Sequence, residues 1–162
     1  MAYRIRRATR ADASFLVEMA CEAANRHPDR VRPKADLLAD PAVMRYARGW
    51  KRPADDGVVA VDDSGESIGA CWYRVLPRND AGHGFVASGV PELTLGVRPM
   101  WRARGVGRAL LEAACDLARE SGHQRVSLSV ERANFAERLY RSEGFVVVES
   151  GADADTMVRA LR

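Results

Sequence analysis

The sequence predicts an α/β (α+β) fold, and three observations carry that expectation. Seven short segments have strand character and four longer ones have helical periodicity. Hairpins stand at both ends of a strand–helix–strand–helix centre. No internal repeat, linker or low-complexity stretch divides the 162 residues, so one domain over 1–162 is expected.

Tyr3–Ala8 alternates loosely and reads as the first strand. Thr9 then offers a helix N-cap with Asp12 three residues on, and Phe15, Leu16 and Met19 give helical spacing from Ala11 to about Ala24. The stretch Asn25–Lys34, with Pro28 and Pro33, is a loop. Leu37, Leu38, Val43, Met44 and Tyr46 suggest a second helix, kinked or broken near Pro41. Gly57–Val61 and Ser67–Leu76 form a hairpin around the turn-rich Asp62–Glu66. Pro77–Val90, with Asn79, Asp80 and three glycines, is a long loop of the kind that often serves function.

Pro91–Val97 is the next strand, and Arg98–Arg104 a short connection. A helix begins near Arg104 or Gly105, with Val106, Leu110, Ala113, Ala114 and Leu117 on one face, and Gly122 ends it. Arg125–Val130 is a strand with Val126, Leu128 and Val130 on one side. Asn134–Arg141 is a helix with Gly144 as C-cap. Phe145–Glu149 and Thr156–Leu161 close the chain as the second hairpin.

Composition narrows the function classes. Hydrophobic residues make up 47% and charged residues 29%, as in an ordinary soluble domain. A formal charge of +3 does not suggest nucleic-acid binding. Cys21, Cys71 and Cys115 form no CxxC pair, which argues against a metal site or a disulfide framework. Cys71 and Cys115 read as small buried side chains. The absence of a membrane-length apolar run and of an N-terminal apolar leader points to the cytoplasm.

The chemistry is concentrated in Val97–Arg108. A strand end, a glycine-bearing turn and a helix start present unsatisfied N–H groups and the positive end of a helix dipole. An anion is the natural ligand. Gly105 and Gly107 keep side chains away from that approach. Arg98, Arg102, Arg104 and Arg108 crowd a helix end that favours acidic residues, so a bound polyanion would explain them better than helix stability does. A solvated basic face on an Arg-rich protein is the competing explanation. A Walker A loop would need Lys-Ser/Thr where Arg108 and Ala109 stand, and a dinucleotide fingerprint a small residue in place of Leu110.

Arg102-Ala103-Arg104-Gly105-Val106-Gly107 resembles the Arg/Gln-x-x-Gly-x-Gly/Ala signature of the GCN5-related N-acetyltransferase (GNAT) superfamily. Glu92–Pro99 looks like the strand leading into that loop. The Asn134–Phe145 run, Asn-x-Ala-x-x-Leu-Tyr-x-x-x-Gly-Phe, resembles the second hallmark, and Ile5–Asp12 the usual opening. The resemblance covers nearly the whole chain. It implies a mixed, mostly antiparallel central sheet of six to seven strands flanked by about four helices. It also implies acetyl-CoA as cosubstrate, no metal, and direct transfer of the acetyl group to an amine through a tetrahedral intermediate.

Residue by residue, it implies main-chain hydrogen bonds from Leu95 and Val97 to the pantetheine arm, and a Gly96 that marks either the bulge opening the strand gap or a simple strand bend. Main-chain amides of Arg102, Ala103, Arg104, Gly105, Val106, Gly107 and Arg108 would take the pyrophosphate. Asn134 would contact the arm or cap its helix. Tyr140 is the candidate general acid, because a phenol is protonated at neutral pH and can protonate the leaving thiolate. Glu92 is the candidate base, with His83 as competitor, and the amide near Leu95 is the oxyanion donor. Phe135 stands where many relatives carry proline. Arg26, His27, Arg30, Arg32, Trp50, Trp72 and Tyr73 suggest a basic, aromatic acceptor mouth suited to a carboxylate-bearing amine. Three readings stay open: a small-molecule amine acetyltransferase, a protein N-terminal or lysine acetyltransferase, and a non-catalytic acyl-CoA-binding module. Homodimers are common in the superfamily.

Overall fold

Among the described residues seven strands build one sheet: β1 (Tyr3–Arg7), β2 (Asp56–Asp62), β3 (Ser67–Arg74), β4 (Glu92–Val97), β5 (Arg125–Glu131), β6 (Val146–Ser150) and β7 (Ala154–Ala160). Their order is β1-β2-β3-β4-β5-β7-β6, antiparallel at every junction except β4 with β5. The computed structural model describes residues 2–25, 31–132, 134 and 136–161. Arg26, His27, Arg30 and Phe135, singled out from the sequence, lie outside them.

Among the described residues five helices flank the sheet: α1 (Ala13–Ala24), α2 (Lys34–Leu38), α3 (Pro41–Met44), α4 (Val106–Glu120) and α5 (Ala136–Ser142). The pleat of β2 sends Val58 and Ala60 into one core and Val59 and Val61 into the other. The first core lies under α4 and α5, with Leu110, Leu111 and Tyr140. The second lies under α1 to α3, with Leu16, Met19, Leu37 and Val43. Cys21, Cys71 and Cys115 are all buried free thiols.

Local chemistry sets the boundaries. Thr9 and Asp12 form a capping box, and a 3-10 turn at Arg10–Asp12 precedes α1, so the α-helix starts two residues later than the spacing suggests. Pro41 divides the second expected helix into α2 and α3, with Asp40 capping the Ala42 N–H. Gly144, at φ +93°, ends α5, and Phe145 N–H returns to Tyr140 O at 3.0 Å.

Among the described residues β4 and β5 pair at one position, Glu92 opposite Ser127. Beyond it the two strands part. The bulge alternative at Gly96 is absent: β4 runs in regular register against β3 from Glu92 through Val97. Gly96 serves the other face, where a Cβ would stand 2.5 Å from Met19 O. The residue lets α1 lie directly on β4.

Candidate active site

A cleft of about 1310 Å³ occupies the opening between β4 and β5. Leu95, Val97, Gly107, Arg108, Asn134 and Tyr140 all line it, so residues from three separate sequence segments meet there. Strand alternation fixes which β4 groups face it. Arg98 N–H donates to Ile68 O of β3 at 2.8 Å, and Pro91 O accepts from Ser127 N–H of β5 at 3.0 Å. Main-chain groups of Leu93, Leu95 and Val97 are therefore turned toward β5, where most of the ladder is missing. Arg102 Nε donates to Val97 O at 3.3 Å, closing that carbonyl of the edge.

The cleft runs to the start of α4. The first N–H groups of a helix, here Val106 to Arg108, lack intrahelical partners. Gly105 supplies no side-chain cap, and the first turn holds no acidic residue. Ala103 at φ +60° and Gly105 at φ +83° shape the turn that precedes them. At Gly105 the left-handed conformation, rather than crowding, calls for glycine, because nothing lies within 4 Å of its would-be Cβ.

The arginines have partners that the sequence did not reveal. Arg98 pairs with Glu18 at 3.0 Å and Arg102 with Glu22 at 2.8 Å, both on α1, while Arg108 pairs with Glu143 after α5. Arg104 lies over the Trp101 ring. These contacts lash the α4 entrance to its neighbours, so stability does account for part of the arginine crowding. Arg102, Ala103 and Arg108 line the cleft, whereas the Val106 side chain is buried in the core.

Asn134 caps α5, its Oδ1 accepting from Ala136 N–H at 2.8 Å, and so sets the helix that carries Tyr140. Tyr140 is 8% exposed, and its ring packs tilted against Phe145. Glu92, at the start of β4, is 2% exposed and lines the cleft. Its carboxylate accepts from Gly82 N–H at 3.2 Å and Gly84 N–H at 3.1 Å. Burial pushes the Glu92 carboxyl above the usual carboxylate range, against the opposing pull of those two bonds and of Arg45.

Sequence reasoning read Tyr46 only as a helix residue and missed its place in the cleft. Its hydroxyl accepts from His83 N–H at 2.9 Å, and it lines the cleft beside Glu92 and His83. Burial, and then the Glu92 charge, push its phenol up to about 12. No local pattern marks it, because Tyr46 follows a short helix and meets a loop 37 residues away. The aromatic acceptor mouth is corrected. Trp50, Trp72 and Tyr73 are buried, with the two indole N–H groups donating to Thr9 O and Tyr46 O. Arg32 does line the cleft, paired with Asp40 at 2.9 Å. Among the described residues no three His, Cys, Asp or Glu side chains group as a metal site, and no helix is long and apolar enough to cross a membrane.

Comparisons with known proteins agree with this geometry. The acetyltransferase (GNAT) family matches residues 14–145. A mycothiol acetyltransferase of Propionibacterium freudenreichii subsp. shermanii is 34% identical over 142 residues, covering 86% of this chain and 41% of that one. The chain thus spans about two fifths of the length of that relative. An uncharacterized N-acetyltransferase of Archaeoglobus fulgidus is 33% identical over 115 residues, covering 67% of this chain and 73% of that one. Among solved structures, the GNAT domain of S. lividans PAT has a TM-score of 0.72 at 22% identity, over 98% of this chain and 90% of that one. The PaiA N-acetyltransferase of Thermoplasma acidophilum, in complex with coenzyme A, has a TM-score of 0.68 at 20% identity, over 99% of both chains.

Proposed function

The chain belongs to the acetyltransferase (GNAT) family, and from that premise we propose that it moves an acetyl group from acetyl-CoA to a primary amine of a small molecule by direct transfer. The observation that carries this reading is the gap between β4 and β5, which ends on the uncapped start of α4. An edge of strand N–H groups followed by a helix N-terminus suits a ligand with an amide-bearing arm and a pyrophosphate. The relatives named mycothiol acetyltransferases support a small-molecule acceptor.

Acetyl-CoA supplies the acetyl group as an activated thioester. Leu95 and Val97 would hold its arm through their main-chain N–H groups. The turn and helix start from Arg102 to Arg108, including Ala103, Arg104, Gly105, Val106 and Gly107, would hold its phosphates, and Asn134 would order the α5 entrance beside the arm. Glu92 would take the proton from the ammonium form of the acceptor, directly or through water, and its raised affinity for a proton suits that work near neutral pH. The Leu95 N–H would steady the charge that develops on the acetyl oxygen. As the carbon–sulfur bond breaks, the Tyr140 hydroxyl would give its proton to the departing sulfur, and the amine's second proton returns the phenolate to phenol.

Two measurements on the purified protein test the proposal: calorimetry with acetyl-CoA, and thiol release from acetyl-CoA in the presence of a panel of amino sugars, diamines, amino acid amides and peptides. Amine-dependent release with the small amines is expected. Binding heat without release for any amine would leave an acyl-CoA-binding module, and release with peptides alone would move the acceptor to proteins.

A further inference from the structure

The Pro77–Val90 loop is held far more tightly than a surface connection requires. The Arg45 guanidinium donates to Ala81 O. Gly82 and Gly84 N–H groups donate to the two Glu92 oxygens, and His83 N–H donates to the Tyr46 hydroxyl between them. Thr156 Oγ1 of β7 donates to His83 O at 3.2 Å. Four consecutive residues are thus tied to the segment after α3, to β4 and to β7.

Steric limits point the same way. A Cβ on Gly82 would stand 2.3 Å from Glu92 Oε1 and 2.4 Å from the Tyr46 hydroxyl, and one on Gly84 would stand 2.8 Å from the Leu128 carbonyl carbon. The strap therefore lies flat on β4 and β5 where they still touch. Tyr46 is itself fixed from the sheet. Trp72 Nε1 donates to Tyr46 O at 2.8 Å, and Arg74, 1% exposed and paired with Asp55, donates to Arg45 O and Arg48 O. A solvated loop would gain little from this apparatus, since its main-chain groups could bond to water.

We propose that Tyr46 and Gly82 are positioning residues for the acceptor amine, holding the 81–84 strap so that Glu92 and the His83 side chain flank the amine's point of entry. Both of those side chains line the cleft. The proposal rests on the acetyltransferase reading above and adds the residues that shape its acceptor end.

The test uses Tyr46→Phe, Gly82→Ala and His83→Ala in the full chain. Amide exchange is followed at residues 82–84. Acetyl-CoA affinity is measured by calorimetry, and kcat/KM with 1,4-diaminobutane, glucosamine and glycinamide as probe amines. Tyr46→Phe removes the acceptor of the His83 N–H while keeping the ring. It should speed exchange at His83 and lower kcat/KM for the amine by about tenfold, the order expected for one buried hydrogen bond or a small displacement of the reacting groups. Acetyl-CoA affinity should stay within about twofold, below the tenfold that one hydrogen bond would cost. His83→Ala should lower the amine kcat/KM and leave exchange at Gly82 and Gly84 slow. A general loss of structure would instead weaken acetyl-CoA binding and amine use together, and that result overturns the proposal. So does unchanged exchange and unchanged amine kcat/KM in Tyr46→Phe. If Gly82→Ala fails to fold, the other two variants decide. Binding of acetyl-CoA with no turnover of any probe by the unsubstituted protein would count against the acetyltransferase reading, while the exchange arm would still decide whether Tyr46 holds the strap.

Discussion

Tyr140 and Glu92, the proposed acid and base, belong to different elements and have different environments. Tyr140 lines the cleft from α5 among apolar neighbours, while Glu92 is buried among N–H donors. Tyr140→Phe removes one oxygen from a well-packed ring. Turnover should fall by about 10²-fold or more, as for a lost general acid, with acetyl-CoA affinity unchanged by calorimetry. Glu92 makes a pH prediction. Burial raises its folded value, so kcat/KM should climb with pH along an acid limb that lies above the ordinary carboxylate range, and Glu92→Gln should abolish that limb. The same shift has a stability consequence of definite sign. A carboxyl that holds its proton more tightly when folded costs the fold stability as pH rises from the unfolded value through the folded one. Melting curves across that window should therefore move in favour of Glu92→Gln as pH increases, and a parallel pair of curves would reject burial as the cause.

Among the elements, α4 was the most legible, because its apolar side chains recur at helical spacing and all of Val106, Leu110 and Ala114 prove buried. Thr9 with Asp12, and Gly144 after α5, were legible for the same reason: caps act between near neighbours. The turn from Arg102 to Arg108, the proposed phosphate site, was legible as a turn into a helix because it follows the chain. The contacts that depend on distant partners were hidden: Glu18, Glu22 and Glu143 for the arginines, and Tyr46 for the strap. Gly96 and Gly105 show how one residue type can answer two demands. A Cβ on Gly96 would press on the α1 backbone, so Gly96→Ala should cost about 1–3 kcal/mol through overpacking. Gly105 has open space but φ +83°, so Gly105→Ala should cost about 1–2 kcal/mol through the backbone alone. Gly105→Asn should recover part of that loss, because asparagine tolerates the left-handed region, whereas Gly96→Asn should be no better than alanine. Urea denaturation of the four variants distinguishes the two mechanisms.

At the scale of the molecule, the α4 end of the cleft, the proposed phosphate site, is flanked by ion pairs that join the first helix to the segment leading into the fourth, and the fourth to the end of the fifth. The guanidinium of Arg102 and that of Arg108 are each partly exposed, with acidic partners in reach of water. Pairs of this kind contribute only about 0–1 kcal/mol each, so a polyanion can take over these cations at little cost to the fold. A ligand in the cleft would then add a link between β4 and β5, which among the described residues pair at a single register position. Ligand binding of this kind is folding free energy: at acetyl-CoA one hundred times its Kd the gain is about 2.7 kcal/mol. For a chain of 162 residues that corresponds to a rise in Tm of about 5–10 °C. The rise should shrink with added salt, because the phosphate contacts are charged and partly exposed. Coenzyme A should reproduce most of it, since the phosphates and arm are common to both, while pantetheine, which has no phosphates, should give far less. Equal shifts with pantetheine and coenzyme A would place the binding energy in the strand gap and leave the start of α4 without the anion assigned to it.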